Sequence, residues 1–479
     1  MPWPSATPGG AWSPFWGGYL KVWVRANIRA GRGWHIGPHA NDRLDSGNVV
    51  GPVEDAGAGT EVERLWVDLS CDALDVELVN GSTRADGIFS RNEAATLHVT
   101  LFDPTRQYDP TNPVSPWQLR GRTRLVAGTP LECFVEIVDG TDSSVTTRRL
   151  FVGRVDRWTE NWTPHPTERR AVVVGTDAVK DLVHTNYEEQ SPVGNNETTT
   201  ERMHRLIDYF GWSGPVDEPA VPSPVTLDAT TLAQSAWEHL NRTMDDEIGY
   251  VHLRGDGTLR WVNRDTWLDP NLTPTLEIGC SPALPDALDI VTDVAILGHE
   301  EQLRNAVYAS RTGGTMQIVK SEPSIAAHGG FETSFRRTDL GLADDPLVAD
   351  WAQTIVTLYS FPEASPVAAV LQPQLVTPSD EVWRSVIDTL EVTDIVRLVW
   401  TPPDQPGTST DSLVRVVGFS HKFTYRTWTV GWSLVNATTT LGVWTIGPHP
   451  NDRLDDGNVI GWTHITLPTP LEERLTDAA

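Results

Sequence analysis

The sequence predicts a mainly β fold, with α+β portions in the middle and β-barrel-like portions at both ends. Three observations carry this. Segments alternating with a period of two concentrate before residue 183 and after 386, capped amphipathic helices fall between 198 and 360, and 479 residues suffice for about three or four domains, each with its own core. The expected division is a Pro/Trp-rich arm over 1–17, a first β-barrel-like portion over 18–183, and a helix-plus-hairpin portion over 184–288. An α+β portion over 289–385 with a helix at 345–360, a closing β portion over 386–440 and a tail over 441–479 follow. Strands from 289–345 are expected to complete the closing sheet.

The first strand is Trp66-Val-Asp-Leu-Ser70. In Ala95-Thr-Leu-His-Val-Thr-Leu-Phe102, Leu97, Val99 and Leu101 share one face and Thr96, His98 and Thr100 the other, as in a half-buried strand. Asp103-Pro104 and Tyr108-Asp-Pro-Thr-Asn-Pro113 stop it, because proline removes ladder donors and Asp and Asn side chains bond back onto turn backbone. A long strand, Leu150-Phe-Val-Gly-Arg-Val-Asp-Arg-Trp158, precedes Arg170-Ala-Val-Val-Val-Gly-Thr-Asp-Ala-Val-Lys-Asp-Leu182, which turns from strand to helix at Gly175-Thr-Asp.

Thr198-Thr-Thr-Glu201 reads as a capping box for a helix with Met203, Leu206, Ile207 and Phe210 on one side and Gly211 as its stop. A Pro-rich link from Gly214 to Pro224 leads to a second helix, whose face is Leu232, Ala236, Leu240 and Met244, bordered by Trp237. Ile248–Arg254 and Thr258–Arg264 then form a hairpin around Gly255-Asp-Gly257. Farther on, Arg304–Tyr308 reads as a strand, and Asp345-Pro346 as an N-cap and first-turn proline for a helix with the stripe Leu347, Trp351, Ile355 and Leu358. The closing strands are Asp394–Trp400, Leu413–His421 and Thr427–Val435, the last alternating Trp428, Val430, Trp432 and Leu434 with Thr429, Gly431 and Ser433.

The order W-V-D-L, A-T-L-x-V-T-L-F-D, Y-D-P-T-N, F-V-G-R-V-D-R-W and V-V-V-G-T-D-A-V-K-D-L resembles the minor tail proteins of long-tailed (siphovirus-type) phages with high-GC hosts, the baseplate-hub or tail-associated family. The hairpin G-Y-V-H-L-R-G-D-G-T-L-R-W and the closing V-x-G-F-S-H-K-F and T-W-T-V-G-W-S-L extend the resemblance over about 60–440. It implies a multi-domain hub that caps or extends the tail tube as a homotrimer at the tail tip of the virion. The implied partners are the distal tail protein or tail tube, the tape-measure protein and other minor tail proteins.

Composition narrows the alternatives. With 37 Lys+Arg against 64 Asp+Glu and a formal charge of −27, no basic block exists to neutralise phosphates, so specific nucleic-acid binding is not expected. The acid either lines a lumen through which a genome passes without sticking or keeps a large assembly soluble. Only Lys21, Lys180, Lys320 and Lys422 are lysines, which fits high-GC coding. Cys71, Cys133 and Cys280 are scattered without a C-x-x-C pair, so buried thiols are expected rather than disulfides or zinc. No export signal or membrane span is legible, consistent with synthesis in the host cytoplasm.

Trp34-His-Ile-Gly-Pro-His-Ala-Asn-Asp-Arg-Leu-Asp-Ser-Gly-Asn-Val-Val-Gly51 recurs as Trp444-Thr-Ile-Gly-Pro-His-Pro-Asn-Asp-Arg-Leu-Asp-Asp-Gly-Asn-Val-Ile-Gly461, identical at fourteen of eighteen positions. Two distant copies make no solenoid. Family members often end on a short tail with L-D-x-x-x-x-L-G character, so the N-terminal copy is the departure. Identity through polar positions suggests a docking clip: Trp34, Asn41, Asp42, Arg43, Asp45 and Asn48, matched by Trp444, Asn451, Asp452, Arg453, Asp455 and Asn458. The arginines would fork onto carboxylates and the tryptophans anchor. A self-contained Asx-rich hairpin explains the same residues, and their spacing does not match a calcium loop.

No H-E-x-x-H, G-x-x-x-x-G-K-[ST] or G-x-S-x-G occurs, and His299-Glu300-Glu301 stops short of a zincin helix, so no enzyme activity, metal or cofactor is expected. Two rivals to a structural hub stand beside it. A tail-tip peptidoglycan hydrolase would need a further domain, for which the chain past the hub-like portion is expected to leave no room. A Trp-rich glycan-binding module would need exposed aromatic platforms, whereas Trp66, Trp428 and Trp432 are expected on core strand faces and Trp237 and Trp351 beside helix stripes. Trp3, Trp12, Phe15 and Trp16, without periodicity, are expected to form an arm that docks on a neighbour.

Overall fold

A computed structural model describes residues 20–29, 64–82, 91–119, 121–138, 145–161, 165, 168–186, 192–269, 273–280, 291–297, 302–362, 365–373, 386, 390–400, 410–424 and 427–437. The first portion holds β1 (Leu20–Arg29), β2 (Arg64–Asp68), β3 (Ala73–Gly81), β4 (Glu93–Phe102), β5 (Gln118–Leu119), β6 (Arg122–Thr123), β7 (Pro130–Val138), β8 (Val145–Asn161), β9 (Arg170–Asp177) and α1 (Val179–His184). The middle holds β10 (Glu197–Thr198), α2 (Thr199–Tyr209), β11 (Val216–Asp217), β12 (Thr226–Leu227), α3 (Ala236–Glu247), β13 (Tyr250–Leu253), β14 (Leu259–Val262) and α4 (Arg264–Trp267). After it come β15 (Leu276–Cys280), β16 (Val291–Leu297), β17 (Ala306–Arg311), β18 (Gln317–Lys320), α5 (Glu322–Ala327), β19 (Ser334–Leu340), α6 (Asp345–Tyr359), β20 (Ser365–Leu371), β21 (Ile395–Trp400), β22 (Thr410–Thr424) and β23 (Trp428–Asn436).

The fold is mainly β and multi-domain, and both β-rich ends contribute to one 13-stranded sheet. Its order is β16-β20-β23-β22-β3-β4-β9-β8-β7-β1-β2, with β21 also on β22 and β15 parallel to β21. The seam between the ends is β22 against β3, from Gly418↔Gly81 to Thr424↔Asp75. Period-two patterning builds it: Val76 and Leu78 face Phe423 and His421, which face Trp428 and Val430 across the next ladder. All six are buried. At about 1.5–3 kcal/mol for each large apolar side chain, that face accounts for much of the seam's cohesion. The closing sheet takes β16 from the 289–345 range, and β15 and β20 from outside it.

The hairpin β13–β14 is buried on both faces. Tyr250 and Val262 belong to the core of the large sheet, whereas Val251, Leu253, Leu259 and Trp261 pack with Met203, Leu206, Trp237 and Leu240 of the helices. A third core lies between α6 and β17–β19, with Val307, Leu340, Val348, Trp351 and Ile355. The predicted capping box of Thr198 with Glu201 forms, and a second, unpredicted one of Ser235 with Glu238 starts α3, each worth about 0.5–2 kcal/mol. Ile248 closes α3 with φ 62, a costly conformation for a β-branched residue, and in it the side chain reaches the third core.

Several expectations need correction. Leu232 is buried but precedes α3, because Ser235 starts the helix. The cap of α6 is Asp344, whose side chain accepts from the Leu347 amide at 2.9 Å; Asp345 is drawn to Arg311, with Nε–Oδ1 at 2.9 Å. Its stripe is centred on Val348, Trp351, Ala352, Ile355 and Val356. Trp66 is not a core residue: opposite Asn27 it faces away from buried Ile28 and is 37% exposed. Cys133 is buried as expected, but Cys71 is exposed on the turn after β2.

Candidate functional site

The portions of the chain meet around one carbonyl. Val417 O accepts from the Ser82 amide at 2.8 Å and from the Tyr250 hydroxyl at 3.1 Å, so the end of β3, the hairpin and β22 share a single anchor. The backbones approach so closely that a Cβ on Gly418 would lie 2.2 Å from Ser82 O. Beneath it Arg415, buried, donates to Thr393 O at 2.7 Å and Trp267 O at 2.8 Å, with its guanidinium 4.5 Å from the Trp267 ring centre. Burial pulls the Arg415 pKa down to about 10.

Charged side chains from four places surround this anchor. Glu391 pairs with Arg148 of β8 and with Arg254 after β13, at 3.4 Å. Arg254 and Arg260 also reach Asp217 of β11, at 3.5 and 3.4 Å. Burial pushes Asp394 up to about 6 despite Arg260, Arg254, Arg415 and Arg148 nearby. Removing one partner of such a set leaves an uncompensated buried charge, which costs more than the pair gains. His252, fully buried beside Arg254 and Arg260, is held neutral by burial. The site therefore clamps segments of the first, middle and closing portions together.

A second polar cluster is local. Asp103 accepts from the Gln107 and Tyr108 amides at 2.7 and 2.9 Å, Asp109 from the Thr111 amide at 2.7 Å, and the Tyr108 hydroxyl donates to Asp72 at 2.7 Å. The three carboxylate-to-amide bonds are the side-chain-to-backbone bonds expected of the D-P and Y-D-P-T-N turns, whereas the Tyr108–Asp72 bond joins two side chains. Glu160 lies against Asp109, and burial followed by that neighbour pushes it up to about 7, against Arg106. Burial also pulls at Asp109, but the Glu160 carboxyl beside it and hydrogen bonds from Thr111 and Arg106 hold it at about 2.

The twelve clip residues, both repeat copies and the arm over 1–17 lie outside the described residues. Among the described residues no group of three or more His, Cys, Asp or Glu is placed to hold a metal ion, and no helix is long and apolar enough to cross a membrane. Charge is unevenly spread: residues 91–186 carry 12 Lys+Arg and 12 Asp+Glu, so the net −27 falls entirely on the rest. Sequence reasoning missed the clamp, since Arg148 and Glu391 are 243 positions apart. The V-x-G-F-S-H motif contained its pivot, Val417-Gly418.

No protein-family model and no curated protein matches the sequence. Among solved structures, the fold is similar to a tail protein from Neisseria meningitidis MC58, with TM-score 0.52, 9% identity, and coverage of 87% of this chain and 96% of that one. It is also similar to the 43 kDa tail protein of prophage MuSo2 from Shewanella oneidensis, with TM-score 0.51, 13% identity, and coverage of 87% and 98%. At such identities the likeness is one of fold, and the fold this chain shares is that of these two tail proteins.

Proposed function

We propose that this protein is a structural component of a phage tail tip, a baseplate-hub protein of a long-tailed phage with a high-GC host. It caps or extends the tail tube as a homotrimer and joins the tube or distal tail protein to the tape-measure protein and other minor tail proteins. The carrying observation is the similarity of fold to two tail proteins, spanning 87% of this chain and nearly all of each of them. A clamp of buried ion pairs and backbone contacts that ties distant segments together suits an assembly part. Three copies with two β-rich ends each would present a pseudo-sixfold face to a sixfold tube. The acid outside residues 91–186 would line the lumen, and the duplicated segments with Trp34, Arg43, Trp444 and Arg453 would dock on adjacent subunits.

Imaging particles labelled through this chain tests the reading. Label at the tail tip with threefold symmetry is the expected result. Label elsewhere, or six copies or one copy per tail, overturns it. A neutral or basic lumen in the assembled ring would reject the channel role, and unchanged assembly with Trp34→Ala and Arg43→Ala would reject the clip.

A further inference from the structure

We infer that the turn segment 104–118 is a pH-released flap, latched onto β8 by a Glu160 carboxylic acid that donates to the carboxylate of Asp109. The latch is a property of the fold and does not depend on the assembly role proposed above. The segment is built from its own bonds: the amides of Arg106, Asp109, Asn112, Ser115 and Gln118 each donate to the carbonyl three residues back. Held together locally, it can lift as a unit. Among its polar ties to the rest of the first portion are Asp72 and Glu160. Gln107 and Tyr108 donate to Asp72 at 3.0 and 2.7 Å, and Arg106 Nε lies 3.6 Å from Glu160 Oε1.

Charges and donors decide which group stays neutral. Asp103, Asp109 and Arg106 of the segment and its root face Glu160, so three carboxyls share one guanidinium. Asp103 is buried, and the side chains of Asp109 and Glu160 are each 3% exposed. From the neighbouring elements, β9 places Ala171 opposite Glu160, and the turn after β2 adds Asp72 beside Asp103. Asp103 accepts from two amides, and Asp109 from the Thr111 amide and hydroxyl, both at 2.7 Å, and from Arg106. Neither Glu160 oxygen meets a hydrogen-bond donor among the described residues. A buried carboxylate without donors is the costliest of the three, so Glu160 keeps its proton. That proton completes the latch, because an acid O–H can donate to Asp109 and a carboxylate cannot.

Losing the proton sets Glu160 and Asp109 as two carboxylates against one guanidinium, and the segment relieves this by moving off β8. Burial, followed by Asp109, pushes Glu160 up to about 7 from its ordinary 4.5. The folded value is raised, so the latch is fully closed below the ordinary carboxylate range and opens as pH rises through about 7. The tie to Asp72 carries no such conflict, since burial and Asp72 itself hold the Tyr108 phenol neutral. Opening uncovers the buried Tyr108 ring, which stacks on Trp158 at 6.3 Å.

Hydrogen exchange of the full chain, compared at about pH 6 and about pH 8.5 and corrected for intrinsic rates, tests the latch. Protection of 104–118 is expected to fall at least about tenfold between the two, while β21–β23 stay protected. Glu160→Gln keeps a neutral donor beside Asp109, so its segment should remain protected at both values. Asp72→Asn covers the case in which that variant fails to fold: it weakens the other tie, lowers protection at both values and keeps the step. Protection of 104–118 that ignores pH in the parent, a loss shared equally by β21–β23, the same step in Glu160→Gln, or no step in Asp72→Asn would overturn the inference.

Discussion

β8 and β22 both change neighbours partway along, yet their corners hold different parts of the molecule. β8 pairs with β7 over 145–154 and with β9 over 153–161. β22 pairs with β21 over 410–415 and with β3 over 418–424. Each turns at a glycine where strands crowd: a Cβ on Gly153 would lie 2.2 Å from Thr176 O, and one on Gly418 2.2 Å from Ser82 O. The β8 corner joins strands close in sequence, so it is a fault line within one region. The β22 corner, reinforced by Gly81 at φ 87 and by the shared Val417 carbonyl, joins segments from opposite ends of the chain.

The sharpest way to break this contrast is substitution at the two corners. Gly418→Val should cost about 3 kcal/mol or more, since backbone on both sides must move. Hydrogen exchange should then rise in β3 and β22 together. Gly153→Val should cost a similar ~3 kcal/mol, because the Thr176 backbone must move as well as the Phe151 ring, but exchange should rise in β7–β9 while β21–β23 stay protected. The same exchange pattern from both variants would refute the division of labour.

Acid and base should separate the regions next. In the first region Glu160 and Asp177 are both raised to about 7, chiefly by burial. Protonation favours the fold, so their contribution is complete below the ordinary carboxylate range and is lost as pH rises through about 7. In the closing sheet His421, buried against Trp428, is lowered to about 3 by burial. It is neutral when folded, so its contribution is present above its ordinary value of 6.5 and is lost as pH falls toward 3. Glu160→Gln should reduce the loss of stability between pH 5 and 8, leaving the part due to Asp177. His421→Leu should flatten the acid side, about 1–3 kcal/mol being at stake in each case. Melting temperature against pH measures both, and parallel profiles in parent and variants would contradict the assignment.

The smallest effect belongs to a cap. Asp344→Ala should cost about 1 kcal/mol, confined to α6 and the third core, whereas Asp345→Ala should loosen the contact to Arg311 without fraying the helix start. Amide exchange at Leu347 distinguishes the two.

What the sequence reveals is whatever depends on neighbours along the chain. Thr198 with Glu201 and Ser235 with Glu238 are three residues apart, and the alternation of Trp428, Val430 and Trp432 needs no partner to be legible. The Asx bonds of 103–112 are local for the same reason. Trp66 misled because period two reports that a strand has two faces and not which face is covered; that depends on its register with β1. Asp344 and Asp345 are equally good caps in isolation, and only Arg311 decides between them. The union of both ends through β3 and β22, and the clamp around Glu391, depend on contacts between distant segments and leave no periodic trace.

The β3–β22 seam also sets an order of events during synthesis. About 340 residues separate Gly81 from Gly418, so at roughly 5–20 residues per second β3 waits about 20–70 s for its second neighbour. Throughout that interval a paired, half-finished sheet offers one bare hydrogen-bonding edge, the kind of template that recruits stray strands. Truncation before β22 would make the wait permanent, and the nascent first region would then be the part most prone to aggregate.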